Sequence, residues 1–355
     1  MIYLLPFLLV AALFYERRPA SYRPAELFFL IYVLIGLLGL LIGIENTAVY
    51  LNEYIITSLV ALCFVPLIGA SRNQIRLLFL FSAACLFFYY FAENKAVRLF
   101  AMPQGVATDP NAFDHPLGLV APIYSVFFFA VGGKIEFILA LVMNVLGGKR
   151  IALLAMLVGI ISIFVFNRIA LFEKRDVRFL VLLVGLVAIN VAAVNFTSIV
   201  EYAYSELRLD ANIEEIMLGR YAIGNEISRV LENRSWLESI IGSGPGSASI
   251  VASSVSGGTI TQAHNDWAKI VIDYGILGSS VITVFMALIF SSSRMSMSIA
   301  LVSAVIMTTD NVLIYVFYQF PIVLMLAYAR LHKFQGAGMR STGLHRREVQ
   351  SLPAV

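Results

Sequence analysis

Long apolar runs separated by short polar breaks dominate the chain. In order, they predict helices over 1–15, 25–44, 54–70, 75–92, 116–132, 134–147, 151–167, 179–195, 267–290, 296–309 and 313–329. The runs are continuous and do not alternate, so they read as membrane-spanning helices and not as barrel strands. The fold class expected is an all-α polytopic integral membrane protein with about 11 transmembrane helices, in a range of about 10–12. Several runs are shorter than the roughly 20 residues a tilted span prefers. The pair 134–147 and 151–167 therefore also reads as one re-entrant hairpin.

Two polar stretches are long enough to matter. The first, about 93–115, holds Asp109, Asp114 and His115 before Pro116. The second, 196–265, runs for about 70 residues, a length usually kept for function. Within it Ile223, Ile227, Val230 and Leu231 fall at helical spacing, which predicts an amphipathic helix lying on the membrane face. The stretch GSGPGSAS from Gly242 follows, and its composition argues for a mobile, non-helical turn region. Four parts result: an N-terminal transmembrane bundle over 1–195, the large loop 196–265, C-terminal transmembrane helices over 266–330, and a basic, disordered tail over 331–355.

Composition agrees. Of 355 residues, 60% are hydrophobic and only 13% charged, too few charges to cover a soluble domain of this size. The net charge of +3 says little, but its distribution says more. With the N-terminus outside, inner segments hold sixteen of the 25 Lys and Arg, and outer segments nine. That is the expected inward bias for an odd number of spans. It sets the chain in an inner membrane with the long loops on the outer side. Cys63 and Cys85 both lie inside apolar runs, so no disulfide framework is expected. No cleavable leader is evident at the N-terminus.

Chemistry-bearing residues gather at the outer end. His264 ends the long loop, and a near-neutral imidazole can take a proton from a hydroxyl. Alone it would read as a polar interfacial residue; the Gly-rich loop before it and a capped helix after it favour a working role. Asn265 or Asp266 is the expected cap of that helix, leaving a positive dipole end to attract phosphate. Arg220 opens the amphipathic helix. Arg229 and Arg234 read as members of solvated ion pairs on that helix. Lys149 and Arg150 interrupt an apolar stretch on the outer side, where a lipid pyrophosphate or lipid headgroups would neutralise them. Lys269 and Asp273, four apart, read as a structural pair. Asp114 or His115 capping a helix at Pro116 explains that cluster without a metal. No metal motif or nucleotide loop occurs, so no cofactor and no metal are expected, and no nucleic-acid partner either.

The segment RYAIGNEISRVLENRSWLESIIGSGPGSAS followed by HNDWAKIVIDYGILG resembles the signature of the O-antigen ligase and polymerase superfamily. The matching positions are Arg220, Gly242, Gly244, Gly246, His264, Asn265 and the run Tyr274 to Gly278. GGKRIALLA, which contains Lys149 and Arg150, is similar to the family's upstream basic element. The resemblance covers about residues 145–290. It implies a metal-independent, inverting glycosyltransferase acting on a glycan carried by undecaprenyl pyrophosphate. Donor and acceptor would both be undecaprenyl-pyrophosphate-linked oligosaccharides, met at the lipid bilayer, with a chain-length regulator as a possible further partner. Under that reading Arg150 and Arg220, with Lys149, meet the pyrophosphate. His264 meets the acceptor hydroxyl, and Asn265, Gly244 and Gly246 line the substrate. The activity expected is a polysaccharide polymerase. The alternatives are a ligase moving a finished glycan to a lipid A core and, in another class, a transporter of the same lipid, whose ionisable groups would be expected nearer the bilayer midplane.

Overall fold

The computed structural model describes residues 70–92, 116–207, 220–258, 263–314 and 316–332. Every regular element among the described residues is helical. In chain order these are α1 (Arg72–Ala92), α2 (Ala121–Val131), α3 (Lys134–Leu146), α4 (Arg150–Arg168), α5 (Arg175–Val194), α6 (Phe196–Leu207), α7 (Arg220–Glu232), α8 (Trp236–Ile241), α9 (Ser247–Val255), α10 (Asp266–Phe290), α11 (Arg294–Ile306) and α12 (Val316–Leu331). Eight of the apolar runs in the sequence coincide with helices here. The remaining expected spans, 1–15, 25–44 and 54–70, lie outside the described residues apart from Ala70, as do the loop 93–115 and most of the basic tail.

Three helices, α4, α5 and α10, are long and apolar enough to cross a membrane. Their burial differs. α10 is mostly enclosed by protein, whereas α4 and α5 turn most of their surface outward. Ile161, Phe164, Leu180 and Val184 are among the apolar side chains they expose. In water such a surface would be unstable, and lipid is the solvent it suits.

α11 is the axle of the bundle. α4, α2, α5, α10 and α12 all pack around it. Its sequence, RMSMSIALVSAVI, includes the small residues Ser296, Ser298, Ala300, Ser303 and Ala304. Small residues let backbones approach closely, which is what membrane packing rewards in place of a hydrophobic drive. Gly159 of α4 does the same job: a β-carbon there would sit 2.4 Å from Val126 of α2 and 2.5 Å from Val302 of α11. α2 and α3 form a tight hairpin through Gly132, which closes α2 in the left-handed region at φ 72°. α3 and α4 do not form the re-entrant hairpin that their lengths suggested. Each packs chiefly on other elements, α3 on α2, and α4 on α11 and α2.

At one end of the bundle lies a basic belt. Arg178 is buried there, and its guanidinium donates to the carbonyls of Phe172 and Glu173 before α5 and of Ser291 and Ser292 after α10. A charge inside an apolar helix is tolerable when backbone carbonyls surround it in this way. Lys174, Arg175 and the Arg294–Glu173 pair mark the same end.

The opposite end carries α7, α8 and α9 as a cap with its own small core. Ile223 and Ile227 of α7 meet Ala248 and Ala252 of α9 and Ala268 and Ile272 of α10. The amphipathic helix expected near 223–231 is therefore present, but its apolar stripe faces protein. The physical reason is that α9, unexpected from sequence, and the head of α10 offer that stripe a close-packed partner, which a fluid interface does not.

Candidate functional site

The site is built around a break in α10. Gly275 has φ 65° and ψ −170°, a conformation closed to other residue types, and the helix bends there. YGILG thus marks a kink inside the helix, which continues to Phe290. A break leaves carbonyls without their helical N–H partners. Here the cap segment supplies new donors. Arg234 donates to Val271 O at 3.0 Å and Ile272 O at 2.8 Å. Ser243 N–H donates to Ile272 O and Gly244 N–H to Asp273 O. Arg234 is therefore no solvated partner of a surface ion pair, as its spacing suggested; it caps an interrupted helix. Arg229 does fit that expectation. It is exposed and forms a fork with Glu226, which lowers the carboxyl's pKa chiefly through that hydrogen bond.

Asp273 closes the arrangement. Its carboxylate accepts from Gly246 N–H at 3.0 Å and Ala248 N–H at 2.9 Å, at the first turn of α9. Gly246, the residue before α9, is left-handed at φ 87° and has no side chain with which to cap. The aspartate performs the cap from 25 residues further along the chain. Lys269 sits 3.7 Å from the same carboxylate and 3.4 Å from Ser249 Oγ. The Lys269–Asp273 pair is thus structural, as the spacing implied. The Gly/Ser segment after Gly242 is not a mobile turn: residues from Ser247 to Val255 form a helix, and GSGPG is bonded to α10. Gly242 and Gly275 meet so closely that a β-carbon on Gly242 would lie 2.3 Å from Asp273 O. Gly244 and Gly246, expected to line the substrate, are buried, and their amides are engaged by Asp273.

His264 stands at the head of α10 in a left-handed conformation, φ 50°, uncommon for a residue with a side chain. It lines a cavity of about 230 Å³ between the cap and the bundle. Asn265, Thr197, Thr308 and Thr309 supply further polar groups to the wall, and residues of α5, α6 and α7 with Ala263 and Ala268 supply the rest. Asn265 is the cap of α10, as expected: its side-chain oxygen accepts from Ala268 N–H at 3.0 Å, and its amide donates to Ala193 O at 2.8 Å. The end it caps does not open outward to phosphate. Asp266 N–H donates to Met307 O, Trp267 Nε1 to Ala304 O, and both residues are fully buried. The dipole end is closed by α11 and by the turn after it.

Of the three expected cations, Lys149 and Arg150 do not line the cavity, and each is placed by the element that carries it. Arg220 opens α7, one turn before Gly224, which lines the cavity. Lys149 forms a 2.5 Å ion pair with Asp310, the neighbour of the lining residue Thr309. The anionic partner that Lys149 required is thus a carboxylate of the protein. Arg150, next to it at the start of α4, is exposed and has no ion-pair partner among the described residues. Gly118 and Gly147 hold this corner together, since a β-carbon on Gly118 would lie 2.8 Å from the Gly147 backbone.

A second apolar groove, about 450 Å³, runs between α5 and α10. Val194 lines both it and the His264 cavity. Its polar contacts include Asn190 Nδ2 donating to Ser279 Oγ at 2.7 Å and Thr283 Oγ1 donating to Ser279 O at 2.8 Å. Among the described residues no three His, Cys, Asp or Glu side chains are gathered in a way that would hold a metal. Asp109, Asp114 and His115 lie outside them. No family model matches the chain, and no characterised protein is similar enough to count as its relative.

Proposed function

We propose that the protein is a polysaccharide polymerase that transfers an undecaprenyl-pyrophosphate-linked glycan onto a hydroxyl of a second lipid-linked unit. The observation that carries this reading is the position of His264. The imidazole of His264, whose backbone is left-handed, lines a cavity that adjoins an apolar groove through Val194, with Arg220's helix on one wall and the Lys149–Asp310 corner close to another. A polar pocket beside a lipid-sized apolar groove suits a substrate with a sugar at one end and a polyprenyl chain at the other.

In this reaction the acceptor hydroxyl attacks the anomeric carbon of the donor sugar. His264 takes the hydroxyl proton as the new C–O bond forms. The bond from that carbon to the pyrophosphate oxygen breaks, the lipid pyrophosphate leaves with the electron pair, and the anomeric centre inverts. Arg150 and Arg220 are assigned to the charge that develops on the leaving group. Lys149 acts through Asp310, fixing the corner from which Arg150 projects. Asn265 and the GSGPG loop hold His264 and α9 in place. The same reading sets about eleven spans in the bacterial inner membrane with the cavity on the periplasmic side.

A ligase using the same donor with a lipid A core acceptor is the second reading, since the same groups would serve it. A transporter of the lipid is the third. The experiment is to mix purified protein with lipid-linked oligosaccharide in detergent and resolve the products on a gel. A ladder is expected. A single shift seen only with lipid A core would replace the polymerase by the ligase, and no transfer to either acceptor would leave the transporter. His264→Ala should lower the rate by about 10²–10⁴-fold, the usual worth of a general base, with folding intact. A wild-type rate in that variant would remove His264 from the reaction.

A further inference from the structure

We infer that α8 lies in the hydrocarbon of the membrane leaflet on the His264 side, as a short re-entrant element packed on α10, with lipid acyl chains covering its outward face. That face consists of Trp236, Leu237 and Ile240, which are 75%, 43% and 42% exposed. Their spacing, i, i+1 and i+4, makes one stripe. Nothing charged interrupts it. The carboxylate of α8, Glu238, turns back onto Ser235 in a capping box and feels the charge of Arg234.

The depth of α8 follows from α10. Gly242 N–H and Ile240 O lie against Gly275, so the end of α8 is level with the kink. Below the kink, 276–290 rises about 22 Å at 1.5 Å per residue. Its far end is fixed at a polar boundary, because the carbonyls of Ser291 and Ser292 are held by Arg178 beside the basic belt. A hydrocarbon core is about 30 Å thick. The kink, and α8 with it, therefore sits several ångströms inside the opposite edge of the core. The stripe also continues onto a surface that already belongs to a membrane-spanning helix: Ile276 and Leu277, just past the kink, are 62% and 43% exposed. One apolar surface runs from α10 across to α8, and the solvent that suits its first half suits its second. In sequence the membrane-facing element of this loop was α7. The structure buries that stripe in protein and turns α8 outward instead.

Tryptophan fluorescence tests this directly. The chain has two tryptophans, Trp236 and the fully buried Trp267. The full-length protein and its Trp236→Phe variant are each reconstituted into phosphatidylcholine vesicles, and the difference between their spectra isolates Trp236. Lipids brominated in the upper half of the acyl chain are expected to quench most of that difference emission, and aqueous iodide to quench little of it. Strong quenching by iodide with little by brominated lipid would overturn the inference and put α8 in water. Insensitivity to both would overturn it equally, placing the face against a second copy of the chain or another protein. Should Trp236→Phe fail to fold, a Trp267→Phe variant reports Trp236 alone with the same three outcomes. Because no transfer reaction is measured, failure here leaves the proposed activity standing, and failure of that activity leaves this test intact.

Discussion

Replacing Asp273 with alanine tests how the cap is held on the bundle. The substitution removes two hydrogen bonds from backbone N–H groups to a carboxylate, at Gly246 and Ala248, and strips Lys269 of its counter-ion. Bonds to a charged acceptor are worth about 1.5–3 kcal/mol each, and breaking a buried ion pair from one side costs about 3–5 kcal/mol. The two losses overlap, because one carboxylate serves both, so the expected total is about 3–5 kcal/mol and not their sum. Both side chains are almost wholly buried, at 4% and 1% exposure, so solvent screening does little to reduce that figure. The assay is equilibrium unfolding in detergent, run on Asp273→Ala, Lys269→Met and the double variant. The double variant should cost less than the two single losses added, by about 0.5–3 kcal/mol, because it leaves no unpaired buried ammonium. Limited proteolysis should also cut the Asp273→Ala protein within GSGPG, where the parent resists. A loss below about 1 kcal/mol for Asp273→Ala would place it among ordinary surface changes. That result, or strict additivity of the two losses, would refute the role given to this carboxylate.

Other perturbations separate structure from chemistry. Lys149→Ala should destabilise by about 3–5 kcal/mol by leaving Asp310 without its cation, whereas Arg150→Ala should unfold like the parent and lose glycan transfer; the reverse pattern, read by unfolding and gel assay, would exchange their roles. Gly159→Ala forces a β-carbon between Val126 and Val302 and should cost about 1–3 kcal/mol in the same unfolding assay, partly recovered by adding Val302→Ala. Arg229→Ala, which removes only a solvated pair, should leave stability unchanged. Chelator added to the transfer assay should not change the rate; strong inhibition would restore a metal to the mechanism.

The helices were legible because their signal is local. Each apolar run reports its own helix, and eight of them appear at nearly the expected bounds. So was the cap of α10, since Asn265 and the amide it accepts from are three residues apart. The cap segment was not legible, and the reason is distance along the chain. α9 is rich in serine and follows a glycine loop, a poor helix sequence by itself. Its N-terminal cap, Asp273, lies beyond the next loop. Lys149 and Asp310 are 161 residues apart, so a cation that needed an anion could be recognised while its partner could not. Arg234 reads as a surface residue for the same reason: the carbonyls it binds are exposed by a kink at Gly275, 41 residues away. The amphipathic stripe of α7 is visible in the sequence, but its partner depends on α9, a helix that local sequence argues against.

The shared wall at Val194 has a consequence for supply. A molecule that reaches the His264 cavity along the α5–α10 groove arrives by lateral diffusion and never passes through bulk water. Its occupancy then follows its mole fraction among the surrounding lipids, not its amount per volume of suspension. Diluting the bilayer with inert phospholipid at constant total substrate should slow filling of the cavity, while diluting the vesicles with buffer should leave it unaltered.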